Sequence, residues 1–280
     1  YNHSKRADVT ISAVPRPIQD CSSLGVIQVD RQWRVTDFQE KPSTPSPIPG
    51  EPDMGLGSMG NYIFNTHILR QIIRFAHEND LHDFGRDIIP RILQDYKVYA
   101  YDFRTNQIPG MTEAERGYWR DVGTIDSYYE SNMDLRQVSP IFNLYNSEWP
   151  IRTAPTQAPP GKFVFDDDGR RGMAIDSLVS EGCIISGSLV RNSVLSPNVF
   201  VHSYSSVDDS IVMSGVDIGR NCRIRRAIID KYVKVPSGEV IGYDLEQDSR
   251  KYHLSPGGIV VIAKHTQICS ESASDAGDSR

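Results

Sequence analysis

Apolar residues return every six positions over a long stretch of this chain, from about Leu178 to Ile241. They fall at Cys183, Leu189, Leu195, Val201, Val207 and Met213. After one slip of register they fall at Ile218 and Ile224, and after a second at Ile229, Val235 and Ile241. Small, polar or charged residues fill most of the gaps. No helix has this period, and no ordinary strand keeps it so long. A parallel β-helix does, because each six-residue step forms one side of a triangular coil and points one aliphatic side chain inward. Stacked coils bury a ladder of Val, Ile and Leu that a single coil could not bury.

The rest of the 280 residues reads as a different structure. Residues 7–15 are apolar and rich in β-formers, as in a strand buried on both faces. Residues 24–29 and 34–38 read as two strands joined by a turn at 30–33. A loop rich in Pro and Gly is expected through Gly57, then a buried strand at 58–64. Asn65 or Thr66 can cap a helix with Ile68, Leu69, Ile72, Ile73 and Phe75 on its apolar face. Asp83 can cap a second, which Pro90 is expected to kink. Strands are expected at 98–103 and 118–122, and a helix capped by Thr124 runs to about Leu135. Alternation of this kind predicts an α/β layered domain. The predicted division is a domain at 1–135, a Pro-rich linker at 136–165, a left-handed parallel β-helix at 166–265 and a disordered tail at 266–280. The chain starts at Tyr1 in what reads as the end of a helix, so the sequence is expected to be a fragment.

A formal charge of −6 argues against a general nucleic-acid binder. No apolar run is long enough to span a membrane. Cys21, Cys183, Cys222 and Cys269 are scattered, which argues against structural zinc or a disulfide framework and for reduced thiols in the cytoplasm.

Five stretches could carry chemistry. Lys41, at a strand end between Glu40 and Pro42, could hold a phosphate while Glu40 accepts sugar hydroxyls; spacing alone favours a surface ion pair. Asp121, before Gly123 and a capped helix, stands where α/β sheets bind ligands and could hold Mg²⁺ with water and phosphates, or serve only as a turn residue. Ser58, Tyr62 and the upstream Gly25 could line a ligand or pack buried strands. Asp83 could bind a sugar hydroxyl, though capping is the simpler reading. Arg220, Arg223, Arg225, Arg226, Lys231 and Lys234 fall in fifteen residues with one acid, Asp230, and could form an anion site with Lys264 or a row of solvated side chains. No phosphate-binding glycine loop, catalytic triad or metal-binding His pair is present.

Taken together these motifs closely resemble bacterial glucose-1-phosphate adenylyltransferases. The matching text is L-G-V (24–26), F-Q-E-K-P (38–42), S-M-G-N-Y-I-F (58–64), H-D-F-G-R-D-I-I-P (82–90), Y-W-R-D-V-G-T (118–124), W-P-I-R-T (149–153) and E-G-C-I-I-S-G-S (181–188). The resemblance implies an α/β nucleotidyltransferase domain of Rossmann-like type, incomplete at its N-terminus, followed by the β-helix. It implies synthesis of ADP-glucose and pyrophosphate from ATP and glucose 1-phosphate for glycogen, with Lys41 and Asp121 in the chemistry. It also implies a glucose 1-phosphate pocket of Gly25, Glu40, Lys41, Ser58, Tyr62, Asp83 and Trp119, with Mg²⁺ on Asp121. Anionic effectors, a nucleotide and a sugar phosphate, are implied at Lys231 and Lys264, in a homotetramer. The family's ATP-binding loop has no counterpart in these residues, so they are expected to be inactive alone. Another sugar-1-phosphate nucleotidyltransferase would share the architecture, and a non-catalytic regulatory or assembly subunit is a further alternative. An acyltransferase reading from the coils alone would rest on His202, for which the pattern offers no acidic partner.

Overall fold

A computed structural model describes residues 1–154 and 156–268. Contacts divide the chain into two compact units, Tyr1–Trp119 and a second that starts at Arg120. The expected disordered tail falls, from residue 269 on, outside the described residues.

The first unit is built on a mixed sheet. Strands β1 (Val9–Pro17), β2 (Gly25–Val29), β3 (Val35–Glu40), β4 (Pro47–Ile48) and β5 (Glu51–Phe64) precede helix α1 (Thr66–Glu78), a short helix α2 (Ile89–Ile92) and strand β6 (Val98–Asp102). The order across the sheet is β3-β2-β5-β1-β6, with β4 on β5. Only β1 and β6 pair in parallel, and they need the helical crossover between them. β1 is buried along most of its length, which is why its sequence does not alternate. Helix α1 turns Ile68, Ile72 and Ala76, one face at four-residue spacing, onto the core around Ile11, Leu56 and Ile89. Of its expected apolar face, Ile73 and Phe75 are instead exposed.

Four expectations here are corrected. The loop predicted up to Gly57 is strand from Glu51. Gly55 and Gly57, which read as loop signals, are small because Cys21 and Leu24 pack over them: added Cβ atoms would lie 2.7 Å from Cys21 Sγ and 3.0 Å from Leu24 Cδ1. The buried part of β5 is Gly55–Ser58, whereas Ile63 is exposed. The strand predicted at 118–122 does not form. Backbone groups there bond elsewhere: Tyr118 N donates to Glu115 O at 2.9 Å and Trp119 O accepts from Arg16 Nη2 at 2.5 Å, while just beyond them Gly123 N donates to Asp121 Oδ1 at 3.1 Å. Pro90 kinks nothing, because it sits at the start of α2, where its missing N–H has no partner to lose.

The second unit is the left-handed parallel β-helix, with helix α3 (Ile125–Leu135) against it. Strand partners along one face, Leu189, Ser206, Arg223 and Val240, are each 17 residues apart. The fully buried ladder runs Val201, Val207, Val212, Ile218, Ile224, Ile229. Its steps are therefore six, five, six, six and five. The slips are expected before Ile218 and before Ile229; the first in fact falls one step earlier, and another precedes Leu195, so Val212 and Val190 are in the core where Met213 and Leu189 were expected. Those two are half-buried, and Met213 packs under α3. Burial of one such side chain stabilises by about 1.5–3 kcal/mol, so the ladder is the unit's main cohesive term.

Each coil turns three corners on residues with positive φ. One column is Asp176, Asn192, Asp209 and Arg226, the next is Gly182, Asn198, Gly215 and Tyr232, and the third is Gly187, Tyr204, Asn221 and Gly238. Gly, Asn and Asp supply most of these because they enter the left-handed region at least cost. Inside the corners, Ser188, Ser205 and Cys222 donate to His202 O, Gly219 O and Pro236 O, each 14 residues on. After the coils comes helix α4 (Leu245–Lys251), unforeseen in the sequence reading and capped by Asp244, whose carboxylate accepts from Glu246 N and Gln247 N. Among the described residues no helix is long and apolar enough to cross a membrane.

Helix α3, grouped above with the first domain, makes its contacts with the coils. Tyr129 OH donates to Asp209 O at 2.6 Å, and Asp126 Oδ1 accepts from Ser255 Oγ at 2.6 Å. Ile125, Tyr128 and Met133 cover Ile211, Ile228 and Ile259.

Candidate functional site

In the first unit, Gly25 and Glu40 face each other across β2 and β3. A Cβ on Gly25 would lie 2.6 Å from Phe38 Cζ and 3.0 Å from Glu40 Oε2. A Cβ on Gly85 would lie 2.7 Å from the same Oε2. Two glycines sixty residues apart thus form a slot for the Glu40 carboxylate. At Gly25 the missing Cβ makes room for the Phe38 ring and the Glu40 carboxylate.

Asp83 stands beside this slot, its Oδ1 3.4 Å from the position of the Gly85 Cβ. That oxygen also accepts from Arg86 N at 2.7 Å, so Asp83 caps the π-type turn at Phe84–Ile88. The turn is held from below by Asp87, which accepts from His82 N and Asp83 N and pairs with Arg86 at 2.8 Å. The Arg86 hydrogen bond holds the Asp87 carboxyl well below the usual carboxylate range.

Tyr62 joins the same group. Burial pushes its phenol up, against a Ser58 hydrogen bond that pulls it down, while the Glu40 and Asp83 charges push it further up. Its ring packs on Phe84 and Phe64 with centroids 5.7 and 6.2 Å away. Ser58 is buried and accepts from Gly60 N at 3.2 Å. The structure therefore brings together Gly25, Glu40, Ser58, Tyr62 and Asp83.

Lys41 is exposed at the end of β3, and its N–H donates to Leu24 O at 3.0 Å. Its φ is +46°, directly before Pro42. A left-handed conformation is unfavourable for Lys, and a following Pro favours extended backbone instead. Such strain, of order 1–3 kcal/mol, clusters at functional sites. Trp119 closes the first unit, its ring 5.7 Å from the Arg16 guanidinium that also holds its carbonyl.

Asp121 belongs to the second unit and is exposed. One oxygen accepts from Gly123 N, which leaves the other for a cation; a carboxylate of this kind fits Mg²⁺, which keeps most of its water. Among the described residues no three His, Cys, Asp or Glu side chains cluster as a metal site. Lys231 and Lys264 are brought to one carboxylate: Asp230 accepts from Lys231 N at 2.6 Å and from Lys264 N at 3.2 Å.

Sequence reasoning missed Arg16, and it gave no role to Phe38, Phe84, Gly85 or the Arg86–Asp87 brace, although the motifs at 38–42 and 82–90 contain them. His202 is corrected too. Asp217, one coil on, lies 2.9 Å from its Nε2, and Phe200 stacks on its ring at 3.8 Å between centroids. The partner is fifteen residues away because strands stack by coil, a distance that local sequence inspection does not cover.

A mixed sheet with a carboxylate slot, joined to hexapeptide coils, defines a nucleotidyltransferase with a β-helix domain. Residues 1–138 match the nucleotidyl transferase family model, and residues 159–262 match that of the GlmU-like, C-terminal hexapeptide. The chain is 48% identical to a glucose-1-phosphate adenylyltransferase of Anaeromyxobacter sp. (strain Fw109-5), with 96% of this chain and 66% of that protein covered. It is 51% identical to that of Methylococcus capsulatus (94% and 61% covered) and 53% identical to that of Thermus thermophilus (94% and 64%). The chain belongs to the glucose-1-phosphate adenylyltransferase family. It spans just under two thirds of the length of these relatives.

Proposed function

We propose that this chain serves the synthesis of ADP-glucose and pyrophosphate from ATP and glucose 1-phosphate, under control by anionic effectors. The observation that carries the reading is the strained Lys41 next to a carboxylate seated between two glycines. Backbone strain clusters at functional sites, and an ammonium fixed there can be offered to a phosphate. Glu40 and Asp83 accept hydrogen bonds from the sugar hydroxyls, and Tyr62 and Trp119 give the ring its walls. Lys41 holds the phosphate so that one of its oxygens attacks the α-phosphorus of ATP. The new P–O bond forms as the bond to the β-phosphate oxygen breaks, and pyrophosphate leaves with its electron pair. Such transfers need in-line positioning and charge cancellation more than covalent help. Asp121 would hold Mg²⁺, which when bound supplies positive charge to the phosphates.

Residues 1–135 form the catalytic part in this reading, 136–165 link it, and the coils at 166–265 carry Lys231 and Lys264 as the effector site. Assembly into a homotetramer belongs to the same reading, and the mass of the native protein in solution checks it. The free, buried Cys21, Cys183 and Cys222 support a cytoplasmic location. The test is calorimetric titration of glucose 1-phosphate and ATP against Lys41→Ala in a full-length protein that carries the family's ATP-binding loop. A sugar-phosphate affinity that falls far more than ATP affinity is expected. An unchanged glucose 1-phosphate Kd would remove Lys41 from the site.

A further inference from the structure

Asp87 is occupied entirely within the turn that carries Asp83. Its Oδ2 accepts from Asp83 N at 3.1 Å and, over a longer 3.4 Å, from His82 N. The Arg86 guanidinium forks onto both of its oxygens, Nε to Oδ1 at 2.8 Å and Nη2 to Oδ2 at 3.0 Å. Four hydrogen bonds are about what a carboxylate can accept. The Asp87 side chain is 18% exposed, against 68% for Arg86, so the acid lies inside the turn and the base covers it.

Asp83 is bonded differently. Its Oδ1 accepts from Arg86 N at 2.7 Å, and among the described residues Oδ2 has no hydrogen-bond donor. Asp83 and Glu40 border the same missing Cβ, that of Gly85. The aim of the open Oδ2 then depends on what fixes the Asp83 backbone. In a capping box, the residue three after the cap returns an acceptor to the cap's own N–H. Here that residue is Arg86, whose side chain has donors only. Asp87 takes its place, and the turn widens to admit it. Asp83 O accepts from Asp87 N at 3.0 Å and Ile88 N at 3.1 Å, and Ile89 N reaches back five residues to Phe84 O. Such π-type turns are frequent at functional sites. Arg86 cannot close the box, but it holds the acid that does.

We infer that Asp87, held by Arg86, is a positioning residue for the sugar site: it fixes the Asp83 backbone so that the open carboxylate oxygen meets one hydroxyl of glucose 1-phosphate. The inference rests on the proposed sugar-binding role of Asp83. Two roles for Asp87 have opposite signs. As a charge alone, Asp87 repels an anionic ligand, and its removal would tighten binding. As a brace, its removal weakens binding, and it does so through the hydroxyl that Asp83 receives.

The experiment is calorimetric titration of glucose 1-phosphate and its monodeoxy analogues against a full-length protein that carries the family's ATP-binding loop. The wild type is compared with Asp83→Ala, Asp87→Asn and Arg86→Lys. The last keeps the charge and loses the fork, at an exposed position. Asp83→Ala identifies the analogue that lacks its hydroxyl, as the one whose affinity it leaves unchanged. Asp87→Asn is expected to raise the glucose 1-phosphate Kd about tenfold, since a displacement of about 1 Å can cost about 100-fold. Arg86→Lys is expected to raise it about fivefold. For the analogue that Asp83→Ala identifies, both losses shrink to within about twofold, the signature of coupled groups, and ATP affinity stays within about twofold throughout. Equal or tighter glucose 1-phosphate binding by Asp87→Asn, or a loss of the same size for every analogue, would overturn the inference alone. If Asp87→Asn does not fold, Arg86→Lys decides by the same comparison. Wild-type glucose 1-phosphate binding by Asp83→Ala would overturn the sugar-binding reading of Asp83 and the inference with it.

Discussion

Gly85→Ala tests the carboxylate slot without touching any residue that would contact substrate. The backbone at Gly85 has an ordinary φ, so Ala is tolerated there, and the lower entropy of the unfolded chain stabilises by about 0.4–1 kcal/mol. The new methyl would sit 2.7 Å from Glu40 Oε2, whereas ordinary contact begins at 3.4 Å. The carboxylate must therefore retreat by the difference, 3.4 − 2.7 = 0.7 Å. It cannot retreat toward Gly25, whose Cα side is already filled by Phe38 and the same oxygen. A misplacement of about 1 Å can cost on the order of 100-fold in a positioned site. For a hydrogen-bonding group moved by somewhat less, we expect a glucose 1-phosphate Kd about tenfold higher, or about 1.4 kcal/mol. Calorimetry reads that change, and a thermal melt reads stability. The expected pair of results is weaker sugar-phosphate binding with an unchanged or raised Tm. An unchanged Kd would mean that Glu40 does not touch the sugar. A Tm lowered by several degrees would mean that Oε2 is locked in place, and the argument from displacement would fail.

Asp121→Asn should lower kcat for pyrophosphate release and raise the Mg²⁺ concentration needed for half activity; wild-type metal dependence would exclude Asp121 from the metal. Asp248 is buried, and burial pushes its carboxyl up despite the hydrogen bond from Gly242 N at 2.8 Å. A raised folded-state pKa means stability that is full below the unfolded value, near 3.9, and lost as pH rises through the folded value. Asp248→Asn keeps the acceptor and should melt at or above wild type at pH 7, with a flatter Tm profile above pH 4; a large drop at pH 7 would show that the charge itself is needed. Cys222 stands where Ser188 and Ser205 stand on earlier coils and makes the same bond, Sγ to Pro236 O at 3.0 Å. Cys222→Ser should therefore change stability by less than about 1 kcal/mol, and Cys222→Ala should cost about that much or more; equal melts for the two variants would show that the bond contributes nothing.

Much of this fold is legible in one dimension because its contacts are periodic. The six-residue return of aliphatic residues specifies a β-helix, since no other regular structure buries that pattern. The continuous apolar run at 9–14 specifies a strand buried on both faces, and Thr124 and Asp83 mark helix starts that the structure has. The motifs around Glu40, Lys41, Asp83 and Asp121 were enough for the family. Three features were decided by tertiary contacts alone. The slip at Ile224–Ile229 is visible in the sequence, but the five-residue side at Val207–Val212 is read one step late, because only stacking shows which residue faces inward. Gly55, Gly57 and Gly85 look like loop glycines until the side chains that fill their missing Cβ positions are in view. Asp217 beside His202, and Asp230 between Lys231 and Lys264, join residues whose separation is set by coil length and by the α4 insertion. Local pattern reports what a residue prefers, while stacking of distant segments determines which residues it meets.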